Sequence, residues 1–282
     1  MAGQELTKEG TDREITVQGI KVHYNEAGSG PALMCFHGGG PGASAWGNTR
    51  YCLLKLSQHF RCILMDLPGY GGSDKDAKLN GEPLDVFLAR LVVAVMDQLG
   101  IDRSHLYTSS QSGPMGLRVG IDYPDRVGKI IMQSSSPERG GQLMFSASPA
   151  EGLKSLAVFA QSPTRENMER MMHLFIPNDE LCTNDVIEAR YRMALTPGHL
   201  EARREFSASK NSDLSQQVRN LKAEVLVVWG YQDRMVPVEG ALRALALIPN
   251  VRVHIWGGGT GHFVAYEKAD EFARLVIDFL SH

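Results

Sequence analysis

Ser110, Asp233 and His262 are residues whose types and chain order could carry nucleophilic chemistry. A serine hydroxyl attacks a carbonyl when a histidine takes its proton, and an aspartate fixes which ring nitrogen of that histidine is free to do so. Ser110 lies in His105-Leu106-Tyr107-Thr108-Ser109-Ser110-Gln111-Ser112-Gly113, a segment that reads as a strand, a sharp turn and the start of a helix. A turn of that kind lifts one hydroxyl above a sheet and needs small neighbours two residues away. Here those neighbours are Thr108 and Ser112 rather than glycines. Both are expected to press on the turn or to add hydrogen bonds beside the reacting oxygen. Asp233 follows the apolar run Val225–Trp229, and His262 sits in the glycine-rich stretch Gly257-Gly258-Gly259-Thr260-Gly261-His262-Phe263. A fourth piece, His37-Gly38-Gly39-Gly40-Pro41-Gly42, follows the run Ala32–Phe36 and could bring backbone N–H groups close to a ligand. It lacks the Lys-Ser/Thr ending of a phosphate loop and the spacing of a dinucleotide fingerprint. Singly, these pieces also read as a serine-rich strand end, a solvated turn aspartate, a surface histidine and a plain glycine turn. Together they fall in the order nucleophile, acid, base, each just past a strand end.

The elements that must position them are short apolar runs bounded by turn residues. Ile15–Val17 and Ile20–Tyr24, split by Gln18-Gly19, predict an early hairpin. Ala32–Phe36, Cys62–Met65, His105–Thr108, Lys129–Gln133, Val225–Trp229 and Val251–Ile255 predict strands buried on both faces, as in a parallel sheet. Helical patterns over Leu84–Leu99, Gly116–Tyr123 and Ala269–Leu280 alternate with them, which argues for a doubly wound α/β sheet. From about residue 140 to 220 the rhythm breaks. That stretch has no clear buried strand, and its helical segments Asn167–Leu174 and Asp185–Leu195 are punctuated by Pro163, Pro177 and Pro197. The expected organisation is an α/β core over 1–139 and 221–282, with a helical cap over 140–220. The C-terminal edge of a parallel sheet is where such folds place their sites.

With those pieces in hand, the chain resembles the α/β-hydrolase superfamily, and within it the carbon–carbon bond hydrolases that act on meta-cleavage products of aromatic catabolism. The resemblance runs over nearly the whole chain, through HGGGPGASAWGN (37–48), MDLPGYGGSD (65–74), YPDRVGKIIM (123–132), SPTRENME (162–169), WGYQDRMVP (229–237) and TGHFVAYEK (260–268). It implies an α/β-hydrolase fold, a mostly parallel sheet with flanking helices and an inserted helical cap. It implies Ser110, Asp233 and His262 as the catalytic triad and backbone N–H groups near Gly39, Gly40 and Gln111 as the oxyanion hole. Asn48 and Arg190 match positions that hold the keto-acid end of a vinylogous diketone. Ser109 and Phe263 stand where the family has Asn and Trp, and are assigned with them to the substrate side. No cofactor and no metal are implied.

Net charge of −3 over 282 residues gives no electrostatic reason to expect nucleic acid or an anionic membrane as partner. The polar start, Met1 to Arg13, does not read as a secretory signal, so none is expected, and no run has the 18 or more apolar residues of a membrane span. Cys35, Cys52, Cys62 and Cys182 are scattered without zinc-ligand spacing, so buried thiols in a cytoplasmic protein are expected. The resemblance suggests a homodimer or larger assembly. Three activities fit the residues: C–C cleavage of a 2-hydroxy-6-oxo-dienoate-like substrate, hydrolysis of an ester, lactone or thioester, and a non-hydrolytic reaction on the same scaffold. Fold alone does not choose among them.

Overall fold

The chain, seen in a computed structural model, is described over residues 6–137 and 151–282. Eight strands form one sheet in the order β1-β2-β4-β3-β5-β6-β7-β8. They are β1 Asp12–Val17, β2 Ile20–Ala27, β3 Ala32–Phe36, β4 Arg61–Met65, β5 Ser104–Ser109, β6 Val127–Gln133, β7 Val225–Gly230 and β8 Val251–Trp256. The β1–β2 hairpin and the β2–β4 pairing are antiparallel, and every other pairing is parallel. Eleven helices appear among the described residues. They are α1 Lys8–Thr11, α2 Ala45–Leu56, α3 Leu84–Gln98, α4 Gly113–Asp122, α5 Glu151–Gln161, α6 Arg165–Phe175, α7 Asn184–Ala194, α8 His199–Ala208, α9 Glu239–Leu247, α10 Val264–Glu267 and α11 Ala269–Ser281.

Strand alternation explains the two faces. Met34, Phe36, Ile63 and Met65 point into a layer with α3, α4 and α9, whereas Leu33, Cys35, Cys62 and Leu64 point into a layer with α2 and α11. Each fully buried side chain of this size contributes about 1.5–3 kcal/mol by leaving water. One run was placed differently by the sequence. Val251–Ile255 reads as buried on both faces, yet β8 is the sheet's outer strand, with Arg252, His254 and Ile255 exposed. Its partner lies on one side only, at β7, so its apolar residues cover less than those of an interior strand.

The order β4-β3-β5 places the sheet's reversal point between β3 and β5, because the chain leaves β3 for one side and returns to the other. A crevice opens at the carboxyl ends of such strands. Between β6 and β7 the described residues hold helices α5–α8 and no strand. The expected start of this insertion, near residue 140, lies outside the described residues. These helices share a small core of Phe159, Met168, Met171, Met172 and Phe175, joined by Met235 from the loop after β7. Among the described residues no helix is long and apolar enough to cross a membrane.

Candidate active site

Ser110 stands at the tip of the turn between β5 and α4 with φ +52°, a left-handed conformation that costs a non-glycine residue about 1–3 kcal/mol. Crowding there is relieved by neighbours rather than at the flanking positions. A Cβ at Gly116 would sit 2.6 Å from the Thr108 methyl, so the glycine in α4 makes the room that the branched Thr108 takes up. Neither flanking hydroxyl serves the reacting oxygen. Thr108 Oγ1 donates to the Ile131 carbonyl at 3.2 Å, and Ser112 Oγ accepts from the Ser109 N–H at 2.8 Å and donates to the Ser109 carbonyl at 3.0 Å. Ser112 thereby braces the turn. Ser112→Gly is expected to strand the buried Ser109 N–H, lowering unfolding free energy by about 1–3 kcal/mol. Denaturant titration measures that loss, and nitrophenyl-ester turnover by the folded variant is expected not to rise.

Asp233 and His262 come together from the loops after β7 and β8. The His262 Nδ1–H donates to Asp233 Oδ2 at 2.7 Å, and both residues are buried. Asp233 Oδ1 is held separately by the N–H groups of Met235 and Val236, at 2.8 and 2.9 Å. This leaves His262 Nε2 as the nitrogen able to accept a proton. Among the described residues Ser110 has no hydrogen bond to His262, and such pairs are often long before substrate binds. Gln133 links the two loops instead, its Nε2 donating to the His262 carbonyl at 2.9 Å and to Ser109 Oγ at 3.3 Å. Ser109, next to the nucleophile, is buried, with its hydroxyl in the Gln133 network.

The glycine loop is oriented through its carbonyls. His37 Nε2 accepts from the Leu67 N–H at 3.0 Å, which leaves Nδ1–H to donate to the Gly38 carbonyl at 2.7 Å. The Gly39 carbonyl accepts from the Tyr70 hydroxyl at 2.9 Å and from Arg203 Nε at 3.0 Å. In a planar trans peptide the N–H points opposite to the C=O. Anchoring these two carbonyls therefore turns the Gly39 and Gly40 N–H groups the other way. A Cβ on Gly38 would lie 3.7 Å from Ser110 Oγ, so the loop passes close to the hydroxyl. Gln111 lies at the start of the turn into α4, where backbone N–H groups lack helical partners.

Arg190, on α7, reaches down to this loop. Its Nε donates to the Pro41 carbonyl at 2.7 Å, and its Nη1 lies 3.4 Å from Asn48 Oδ1 on α2. Phe175 and Phe263 stack on each other at 4.7 Å, and the guanidinium faces both rings. Burial lowers the Arg190 pKa to about 10, helped by nearby Arg203, so it stays charged at neutral pH. Among the described residues no carboxylate forms an ion pair with it. His199 on α8 closes the other side. It accepts from the Gly42 N–H and donates to the Gly69 carbonyl, both at 3.0 Å, and burial drops its pKa to about 4, so it is neutral.

Glu267, which sequence reasoning passed over, clamps the histidine loop. Its carboxylate oxygens accept from the N–H groups of Gly261 at 2.9 Å and Phe263 at 3.0 Å, on either side of His262. The one signal in the sequence is its place in the first turn after the histidine, within TGHFVAYEK. Burial raises this carboxyl to about 7, against the lowering effect of those two N–H groups and of His262. On protonation one oxygen becomes a donor facing an N–H, and the clamp slackens. The kcat profile is therefore expected to fall more steeply with acid in the parent than in Glu267→Gln. The variant should lose roughly tenfold in kcat, or about 1.4 kcal/mol, at pH 8 with little change in KM. Profiles of equal steepness in the two proteins would show that Glu267 does not set the histidine.

These features define a class. A family model described as the alpha/beta hydrolase fold matches residues 31–269, and the chain belongs to that family. Within it, the chain is 34% identical to the 2-hydroxy-6-oxo-6-phenylhexa-2,4-dienoate hydrolase of Burkholderia cepacia, covering 99% of each protein. It is 32% identical to the 2-hydroxy-6-oxononadienedioate/2-hydroxy-6-oxononatrienedioate hydrolase of Comamonas testosteroni, again over 99% of each. Among solved structures, a meta-cleavage product hydrolase from Pseudomonas fluorescens IP01 superposes with a TM-score of 0.84 at 26% identity, covering 95% of this chain and 97% of that one.

Proposed function

We propose that this protein is a serine-dependent hydrolase that cleaves a C–C bond in a 2-hydroxy-6-oxo-dienoate-like substrate. The observation that carries the reading is Arg190, a buried cation with no carboxylate ion-pair partner among the described residues, set on the glycine loop beside Asn48. A buried charge needs a counter-charge, and an anionic substrate end supplies one. Phe263 and Phe175 form the apolar wall beside it, and helices α5–α8 act as a cap that excludes water. The relatives' names point to the same substrate class.

In this scheme His262 moves protons as the dienol becomes a ketone. Ser110 Oγ then adds to the distal carbonyl carbon, giving its proton to His262 Nε2. The oxyanion faces the N–H groups of Gly40 and Gln111, with Gly39 beside them. Its collapse breaks the C–C bond. The electron pair leaves with the hydroxydienoate fragment, which takes the proton from His262, and water then releases the second acid from Ser110. The scheme uses no cofactor and no metal. Four free, buried cysteines with thiol pKa values raised by burial support a cytoplasmic location.

The test is Arg190→Ala assayed on an anionic dienoate and on a neutral nitrophenyl ester. Loss of a charge-assisted bond is expected to raise KM for the anion about ten- to a hundredfold while the ester is little affected. Equal effects on both would assign Arg190 to structure and remove the reading.

A further inference from the structure

A cavity of about 270 Å³ runs from Arg190 and Asn48 outward between α2, α7 and the turn that carries Phe263 and Tyr266. Its inner end is the buried Arg190–Asn48 pair, and Lys8 and Arg50 line it among half-buried residues. No aspartate or glutamate lines it. Arg50 is held in place by neutral partners. One Nη bonds the Tyr51 hydroxyl, the other donates to the Gly47 carbonyl at 3.3 Å, and the guanidinium lies 4.1 Å over the Tyr51 ring. That ring in turn packs on Tyr266 at 4.2 Å. Among the described residues neither Lys8 nor Arg50 forms an ion pair with a carboxylate. Three cations along one passage, none in an ion pair with a carboxylate among the described residues, give a positive field inside low-dielectric walls, which focuses anions.

We propose that this cavity is the passage for the carboxylate-bearing fragment, with Lys8 and Arg50 forming a cationic collar that exchanges small unsaturated carboxylates with Arg190 and Asn48. The proposal rests on the function proposed above and adds the route and two residues that serve it. The cavity has room for a small carboxylate-bearing molecule at its Arg190 end. Because association and dissociation share one path, the collar speeds capture of the anion and marks the way the dienoate product leaves.

The probe is sorbate, a stable dienoate monocarboxylate, with its uncharged amide as control. Trp46 lines the cavity, so stopped-flow tryptophan fluorescence reports arrival. At about 10 mM salt, where charges act over about 30 Å, sorbate should associate with Arg50→Gln about tenfold more slowly than with the parent. The Lys8→Gln/Arg50→Gln variant should be slower still. The difference should vanish near 1 M salt, Arg50→Lys should restore the rate, and the amide should not distinguish the proteins. Parent-like association in the double variant at low salt overturns the proposal, as does a sorbate signal absent from the parent. The outcome is separable from the proposed reaction. A protein that fails to cleave dienoates but shows collar-dependent sorbate capture retains the passage and loses the C–C assignment. Cleavage with collar-independent capture does the reverse.

Discussion

Ser110→Ala is expected to reduce turnover by about 10⁴- to 10⁶-fold, leaving only what binding and the oxyanion donors supply. The three serines of the turn are separable on geometry. Ser109 Oγ is engaged by Gln133, and Ser112 Oγ is engaged twice by the backbone of Ser109. Only Ser110 combines the left-handed tip of the turn with a hydroxyl lying against the glycine loop. Ser112→Ala is therefore expected to lose stability and retain activity, provided that it is assayed folded. Rates measured on both variants at equal folded concentration decide the matter. A dead Ser112→Ala beside an active Ser110→Ala would move the nucleophile two residues along the chain. Product analysis in heavy-oxygen water adds the reaction class, since hydrolysis alone places a water oxygen in the released acid.

The parts of this site that were legible in the sequence are those whose chemistry is written in a local pattern. A buried parallel strand needs a near-continuous apolar run, so the strands carrying the Gly38, Ser110 and Asp233 loops announce themselves with boundaries within a residue or two. Glycine-rich and serine-rich turns at the ends of those strands are equally visible. What stayed hidden acts through the backbone of distant segments. Arg203 bonds the Gly39 carbonyl across 164 residues, His199 bonds Gly69 across 130, and Gln133 reaches His262 across 129. A side chain that holds a carbonyl leaves no spacing rule behind, because any donor of the right length on any nearby element could do it. The substitution of Thr108 and Ser112 for glycine misleads for the same reason. Their consequences are absorbed by Gly116 and by the Ser109 backbone, which only the packed structure brings into view. The outer position of β8 was also invisible, since apolar content marks a strand but not how many neighbours it has.

Asp233→Asn is expected to lower kcat by about 10⁴-fold while leaving the fold intact. The size of the loss follows from which oxygen is already committed. Oδ1 accepts from the Met235 and Val236 N–H groups, so an asparagine must put its carbonyl oxygen there; its NH₂ in that place would face two donors. The asparagine NH₂ is then driven to the position of Oδ2, 2.7 Å from His262 Nδ1. A donor there forces Nδ1 to accept, which moves the ring proton to Nε2. In that tautomer His262 presents an N–H to Ser110 and cannot take its proton. Rotation of the ring offers no escape, because the loop is held by the Glu267 clamp, by Gln133 and by the bond from the His262 N–H to the Phe175 carbonyl at 2.8 Å. Steady-state rates beside a melting curve check the prediction. A variant that keeps more than a tenth of parental kcat at neutral pH would show that the tautomer of His262 is set by something other than Asp233.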